Sequence, residues 1–266
     1  MDISRDAPIG VFDSGVGGLT VLDELLVALP AEDFVYFGDT AFFPYGDKSP
    51  ERLRERAIAI SDWLLGHGVK LIVIACNTAT AAALDHLQRA CPVPVMGVMA
   101  PEAHAAVQTT RNRRVGLLAT VATVDSGSYA RMVGAHDAGV EFTSVACPEL
   151  APAIQDGDPF GHEVADLVRG YVAPLREAGV DTVILGCTHY PVVDKLLRRA
   201  LPGVTLIKSG EELAREVVVS LGRREMLRDA DREGEYSCAC SGDPAQFATL
   251  GARFLQMPLG DVLQHD

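Results

Sequence analysis

One eleven-residue pattern occurs twice in this chain, and no other feature constrains the fold as much. Gly68 to Thr78 reads GVKLIVIACNT, and Gly179 to His189 reads GVDTVILGCTH. The two align without a gap and put Cys76 and Cys187 in equivalent places, 187 − 76 = 111 positions apart. Each contains a short apolar run, Leu71–Ala75 in one and Thr182–Leu185 in the other. Runs of this length suit strands buried on both faces, as in a parallel sheet under helices. Two copies imply two related half-molecules. Matched thiols facing each other across a pseudo-symmetric cleft favour one chemistry: a proton leaves one face of a carbon and another is delivered to the opposite face.

The remaining pattern alternates strand and helix. Ile9–Phe12 is a strand, followed by DSGVGG and an amphipathic run from Leu19 to Leu29. Phe34–Phe37 is the next strand. Glu51–Leu65 has helical periodicity through Leu53, Ala57, Ile60 and Leu64. Thr78–Ala90 reads as a helix broken by Pro92 and Pro94. The pattern then restarts. Val115–Leu118 followed by ATVATVDSG echoes Ile9–Phe12 followed by DSGVGG. Val140–Val145 and Val204–Ile207 read as strands, and Gly161–Ala178, Val192–Leu201, Glu211–Leu221 and Pro244–Phe254 as helices. Arg223–Glu235 is charge-dense and reads as a surface loop. The expectation is an α/β chain of two pseudo-symmetric three-layer domains with mainly parallel sheets and right-handed crossovers. The first comprises residues 1–98 plus 208–266, the second residues 99–207, and PVPVMGVMAP (Pro92–Pro101) forms a hinge. In open α/β sheets sites form at the carboxyl ends of strands. Asp13, Cys76, Thr120 and Cys187 all fall there, which places the active site in the cleft between the domains.

Bulk composition narrows the function. With 266 residues and 48% hydrophobic content, a sizeable core can be buried. A formal net charge of −13 argues against a nucleic-acid partner, which needs clustered Lys and Arg. The one basic run, Arg111–Arg114, reads as a solvated loop. The longest charge-free apolar stretch, Leu71 to Leu84, is too short to span a bilayer, so no membrane association is expected. The N-terminal MDISRDAP lacks the apolar core of a secretory signal. Six cysteines without framework spacing then read as reduced thiols in the cytoplasm.

Each cysteine of the repeat follows a buried strand and is read as opening a helix. Free N–H groups and the positive end of the dipole there would stabilise a thiolate. Asn77, Thr78, Thr188 and His189 are polar followers able to cap the helix or hold substrate carboxylate and ammonium groups. A single buried cysteine is equally well a small hydrophobe; two in repeated polar settings are not. His189, two residues from Cys187, could accept or orient its proton, and Asp13 could do the same for Cys76. The glycines of DSGVGG allow a tight turn and close approach of a small ligand, with Asp13 and Ser14 binding it. Cys238-Ala239-Cys240 has the wrong spacing for zinc, so no metal site is expected. Cys91 and Cys147 lack polar followers and read as structural. None of the four lysines (48, 70, 195, 208) sits at a strand-to-helix turn, which disfavours a pyridoxal Schiff base and points to cofactor-free chemistry.

FDSGVGGL, YFGDT followed by PYG, IACNTA and LGCTHYP, in this order and spacing, resemble the cofactor-independent glutamate racemases, from Ile9 to about Leu255. The resemblance implies two α/β domains about a pseudo-two-fold axis with the amino acid between them. It implies that Cys76 and Cys187 are the acid/base pair, Cys76 serving the D-enantiomer and Cys187 the L-enantiomer, assisted by Asp13 and His189. Substrate-holding positions carried over are Asp13, Ser14, Tyr45, Gly46, Asn77, Thr78, Thr120, Thr188 and His189. The product would be D-glutamate for bacterial peptidoglycan. Three positions depart from the common pattern: Phe42 where Arg often follows GDTA, Gln155 where Glu is frequent, and Lys208 where Asp often precedes a late serine. Other readings stay open. One is an aspartate or related amino-acid racemase. A second is a cysteine-nucleophile hydrolase using Cys187 and His189, and a third is a binding protein without turnover. A homodimer is compatible with the sequence, which does not fix the assembly.

Overall fold

The computed structural model describes residues 4–230 and 232–265. Among these, ten strands follow in order: β1 (Ile9–Asp13), β2 (Phe34–Gly38), β3 (Leu71–Ile74), β4 (Val95–Gly97), β5 (Arg114–Ala119), β6 (Glu141–Ala146), β7 (Thr182–Gly186), β8 (Thr205–Ile207), β9 (Tyr236–Cys240) and β10 (Val262–Gln264). They form two sheets, ordered β10-β9-β2-β1-β3-β4 and β6-β5-β7-β8. Every strand pairing in both is parallel. Without β9 and β10 the orders correspond strand for strand, β1 to β5 and β3 to β7. The sequence repeat is therefore a repeat of topology.

The apolar runs are buried on both faces, as their composition requires. In β3, Leu71 and Val73 join one core cluster while Ile72 and Ile74 join another on the opposite face. The helix Pro50–Gly66 covers the second cluster with Leu53, Ala57, Ile60 and Leu64. It begins well: Pro50 occupies its first turn and the Ser49 hydroxyl accepts from the Arg52 N–H. The helix Asn77–Ala90 adds Ala79, Ala83 and Leu87 at four-residue spacing. In the second sheet, the helix His162–Glu177 seats Val164, Val168, Val172 and Leu175 against β5 and β6. Each such fully buried aliphatic side chain contributes on the order of 2 kcal/mol.

Several segments differ from the expectation. The hinge stretch PVPVMGVMAP contains β4 and the start of the helix Met99–Thr109. Pro92 and Pro94 stand just before β4 and obscure it, but the strand itself is free of proline and pairs with β3 at the sheet edge. The polar stretch after β5 folds into the short helix Val121–Asp125. The helices Ser128–His136 and Leu150–Asp156 had no reading in the sequence. The Cys-Ala-Cys segment is β9, paired with β2 from some 200 residues away in the chain. Cys187 does not open an α-helix: a 3-10 turn, Tyr190–Val193, precedes the helix Asp194–Ala200. Pro191 has no N–H to give the Cys187 carbonyl, the first bond that an α-helix opened by Cys187 would make. No helix among the described residues is long and apolar enough to cross a membrane.

Candidate active site

The carboxyl ends of β1, β3, β5 and β7 converge on a cavity of ≈ 300 Å³. Cys76 follows β3 and Cys187 follows β7, so both thiols line the same space from topologically equivalent positions. Ser14, Tyr45, Gly46, Asn77, Thr78, Thr120, Thr188 and His189 line it too. Asp13 is not part of the wall. It is fully buried behind it, accepting from the Gly15 N–H (3.0 Å) and from the Thr188 hydroxyl (3.2 Å).

Local structure explains each placement. Cys76 is the N-cap of Asn77–Ala90, and its sulfur accepts from the Ala79 N–H at 3.4 Å. Thr120 caps Val121–Asp125 by accepting from the Thr123 N–H at 3.3 Å. The two helix starts meet across the cleft, where the Thr78 hydroxyl lies 2.9 Å from Thr120 Oγ1 and 3.1 Å from Thr123 Oγ1. Tyr45 is held by its hydroxyl, which donates to Asp39 Oδ2 at 2.5 Å. Asp39 is itself clamped by Arg56 (3.0 and 2.6 Å) and by Ser241 (2.8 Å). The Arg56 guanidinium lies over the Phe42 ring, 4.2 Å from its centroid.

The glycines of DSGVGG serve protein packing rather than ligand approach. A methyl group on Gly17 would overlap Thr188 Oγ1 and sit 2.5 Å from His189 Nδ1. The first half of the molecule therefore presses its backbone onto the Gly-Cys-Thr-His turn of the second.

His189 is fully buried between Phe43 and Phe254, each ring centroid 5.3 Å away. Its Nε2 is 3.1 Å from Gln155 Oε1 and its Nδ1 is 3.8 Å from Cys187 Sγ. An amide oxygen only accepts, so Nε2 carries the proton and the Nδ1 lone pair faces the thiol. Burial lowers the His189 pKa to about 3, keeping the ring neutral.

The thiols are shifted the other way from the sequence expectation. Burial, reinforced by the charge of Asp13, pushes Cys76 up to about 12, against smaller lowering by the Ala79 N–H and Ser14. Burial also raises Cys187 well above an ordinary thiol. A helix N-terminus contributes about 2 kcal/mol at best, equivalent to about 1.5 pH units, and desolvation exceeds it here. Asp13 is raised by burial as well, despite its backbone donors.

Sequence reasoning missed Phe43, Pro44, Asp47, Val121, Pro148, Ala151 and Pro152, which complete the wall. It also left Asp39 without a role, although the aspartate lies in the quoted YFGDT. No Lys or Arg is among the lining residues. An anionic ligand here would meet hydroxyls, an amide and helix-start N–H groups, with the Asp47 carboxylate, paired with Lys48, the one acidic side chain in the wall. Lys208 stands apart, 3.5 Å from Asp194. All six cysteines are free thiols.

A strand-end cavity walled by paired thiols on two matched parallel sheets is the arrangement of a racemase. The chain belongs to the Asp/Glu/Hydantoin racemase family, whose model matches residues 9–217. It is 46% identical over 258 residues to the glutamate racemase of Geobacter metallireducens, covering 96% of this chain and 95% of that protein. A solved glutamate racemase of Bacillus anthracis superposes with a TM-score of 0.95 at 35% identity, covering 98% of each chain. The glutamate racemase of Francisella tularensis, solved in complex with D-glutamate, gives 0.92 at 32% identity, again over 98% of each chain.

Proposed function

We propose that this chain interconverts L-glutamate and D-glutamate without a cofactor, with Cys76 and Cys187 as the acid/base pair. The observation that carries the reading is that both buried thiols line one cavity from equivalent strand ends. On this reading the substrate lies between them. Its carboxylates are met by the hydroxyls of Ser14, Thr78 and Thr120 and by the helix-start N–H groups, and Tyr45, Gly46 and Thr188 close the wall. One cysteine, as thiolate, takes the α-proton from one face, and the other, as thiol, gives a proton to the opposite face. One proton enters and one leaves, and the reverse reaction exchanges the roles. Following the resemblance, Cys76 serves D-glutamate and Cys187 serves L-glutamate. Asp13 accepts the proton of Cys76, and the Nδ1 lone pair of His189 that of Cys187.

The energetic burden lies elsewhere. An amino-acid α-proton is far less acidic than any thiol, so matched pKa values do not close the gap. Fixed donors on the carboxylate and the retained ammonium charge must stabilise the carbanionic state in a water-poor cavity. The buried thiols and the neutral His189 ring suit that task. The proposed domains are residues 1–98 with 208–266 and residues 99–207, and their mutual closure would exclude water. The reading includes a cytoplasmic enzyme supplying D-glutamate to peptidoglycan synthesis. A homodimer is the assembly to test, by sedimentation.

The experiment is incubation of the purified protein with L-glutamate in D₂O, following optical rotation and loss of the α-proton signal, with L-aspartate in parallel. Racemisation with deuterium incorporation is expected for glutamate, and its loss in both Cys76→Ala and Cys187→Ala. An active single variant refutes the two-thiol mechanism. Exchange with aspartate alone keeps the mechanism and replaces the substrate.

A further inference from the structure

Beneath the cavity lies a buried carboxyl that the proposed chemistry does not use. Glu102 is in the first turn of the helix Met99–Thr109 and is 0% exposed. Among the described residues no cation pairs with it. Its Oε2 accepts from the Tyr129 hydroxyl and from Asn77 Nδ2 at 3.0 Å. Asn77 Nδ2 is also 2.7 Å from the Tyr129 oxygen. Ser209 approaches from the start of the helix Ser209–Arg223 and favours the charged form, although neither its Oγ nor Glu102 Oε1 completes a hydrogen bond.

The provenance of these groups matters. Asn77 directly follows Cys76. Tyr129 belongs to the second sheet's helices. Glu102 and Ser209 stand just past the two points where the chain passes between the sheets, after β4 and after β8. One carboxyl therefore gathers both crossovers and the cavity wall.

Its effect on Asn77 is specific. A side-chain amide can present either its oxygen or its NH₂ group. Glu102 Oε2 accepts from two donors, which leaves Oε1 to carry the proton when the carboxyl is neutral, and Oε2 engages the NH₂ end. That leaves Asn77 Oδ1 buried with no protein partner in a residue that lines the cavity. An unpartnered acceptor there suits the α-ammonium of an amino acid. With the amide reversed, NH₂ would meet ammonium.

We propose that Glu102 is a positioning residue that fixes the orientation of the Asn77 amide, so that the cavity presents an acceptor to the substrate ammonium group. This rests on the amino-acid racemase reading. Glu102→Met fills the same volume and removes the acceptor. Glu102→Gln retains an oxygen for Tyr129 and Asn77 and adds a donor toward Ser209. The measurement is kcat/KM for glutamate racemisation in wild type, E102M, E102Q, Asn77→Ala and the N77A/E102M double variant. A misplaced binding group costs about 100-fold, and that is the expected loss in E102M. E102Q should recover most of it. If Glu102 acts through Asn77, the double variant should fall within about twofold of N77A.

E102M with wild-type efficiency, or a double variant whose loss is the product of the two single losses, overturns the proposal. So does E102Q as poor as E102M. Should E102M lack a cooperative unfolding transition, Tyr129→Phe carries the same test. It removes both the second acceptor that Asn77 Nδ2 meets and the donor that holds Glu102 Oε2 in place, and should lower kcat/KM in the wild-type background but not in N77A. A Y129F variant of unchanged efficiency counts against the proposal. Wild-type protein that racemises glutamate while these variants remain unaffected sinks only this inference. Wild-type protein that exchanges no α-proton sinks the underlying reading.

Discussion

The burial of Glu102 has a consequence for stability that needs no substrate. Desolvation raises its pKa from 4.5 to about 8, outweighing the donors from Ser209 and Asn77. Between those values the folded chain holds a proton that the unfolded chain has lost. Stability must then fall as pH rises through that window, by about 1.4 kcal/mol per pH unit. The whole interval is worth on the order of 5 kcal/mol, and the part from pH 5 to pH 7.5 about 3 kcal/mol. Glu102→Gln removes this slope and leaves every other titrating group in place. The assay is urea denaturation of both proteins at constant ionic strength from pH 5 to 8, taking the difference in unfolding free energy at each pH. That difference cancels His189, whose depressed pKa works in the opposite sense, since stability from that group is lost as pH falls from 6.5 toward 3. Wild type should lose ground against E102Q steadily with rising pH. A difference that is flat across the range, or that grows in favour of wild type, means that Glu102 is folded in as a carboxylate and refutes the reasoning.

Gln155→Glu should place a carboxylate against His189 Nε2, now 3.1 Å from a neutral amide oxygen. A close opposite charge raises a histidine pKa by about one to three units, so the acid limb of kcat/KM should move up by that amount with little change at pH 7. Identical limbs would show that His189 does not take up the Cys187 proton. Gly17→Ala should force Thr188 and His189 aside, since the added methyl overlaps the threonine hydroxyl. A loss of about 100-fold in kcat/KM is expected with the circular dichroism spectrum retained; near-normal activity would show that the turn has room to give.

Much of this architecture was written locally. The runs at β1, β3, β5 and β7 declare themselves because strands buried on both faces must be apolar at consecutive positions. The helices Pro50–Gly66 and Asn77–Ala90 show their core faces in the three- and four-residue spacing of Leu53, Ala57, Ile60 and Leu64, and of Ala79, Ala83 and Leu87. What escaped was set at long range. The strand β9 is defined by the edge of β2 rather than by its own five residues. The turn after Cys187 is a helix in pattern and a 3-10 turn in fact, because Pro191 withholds a donor. The site divides the same way. The thiols and their polar followers stand in repeated motifs. Asp39, Gln155 and Glu102 are polar residues whose roles appear only when other elements bring Arg56 and Ser241, His189 and Asn77 to them.

The largest error of sequence reasoning was electrostatic, and it bears on how the site would work. A cysteine at a helix start reads as a poised thiolate, yet Cys76 and Cys187 are raised, Asp13 is raised and His189 is lowered, all chiefly by burial. The two thiols, Asp13 and His189 are therefore all pushed toward their neutral forms before any ligand enters. A standing thiolate there would carry a large desolvation cost. On the proposed reading, the charge that makes a thiolate tolerable arrives with the substrate, whose ammonium group sits beside the sulfur and favours its ionised form. The same ammonium is the group that a correctly oriented Asn77 oxygen would hold. Base activation and substrate orientation then depend on one contact, which is why a buried carboxyl beneath the wall can govern a proton transfer it never touches.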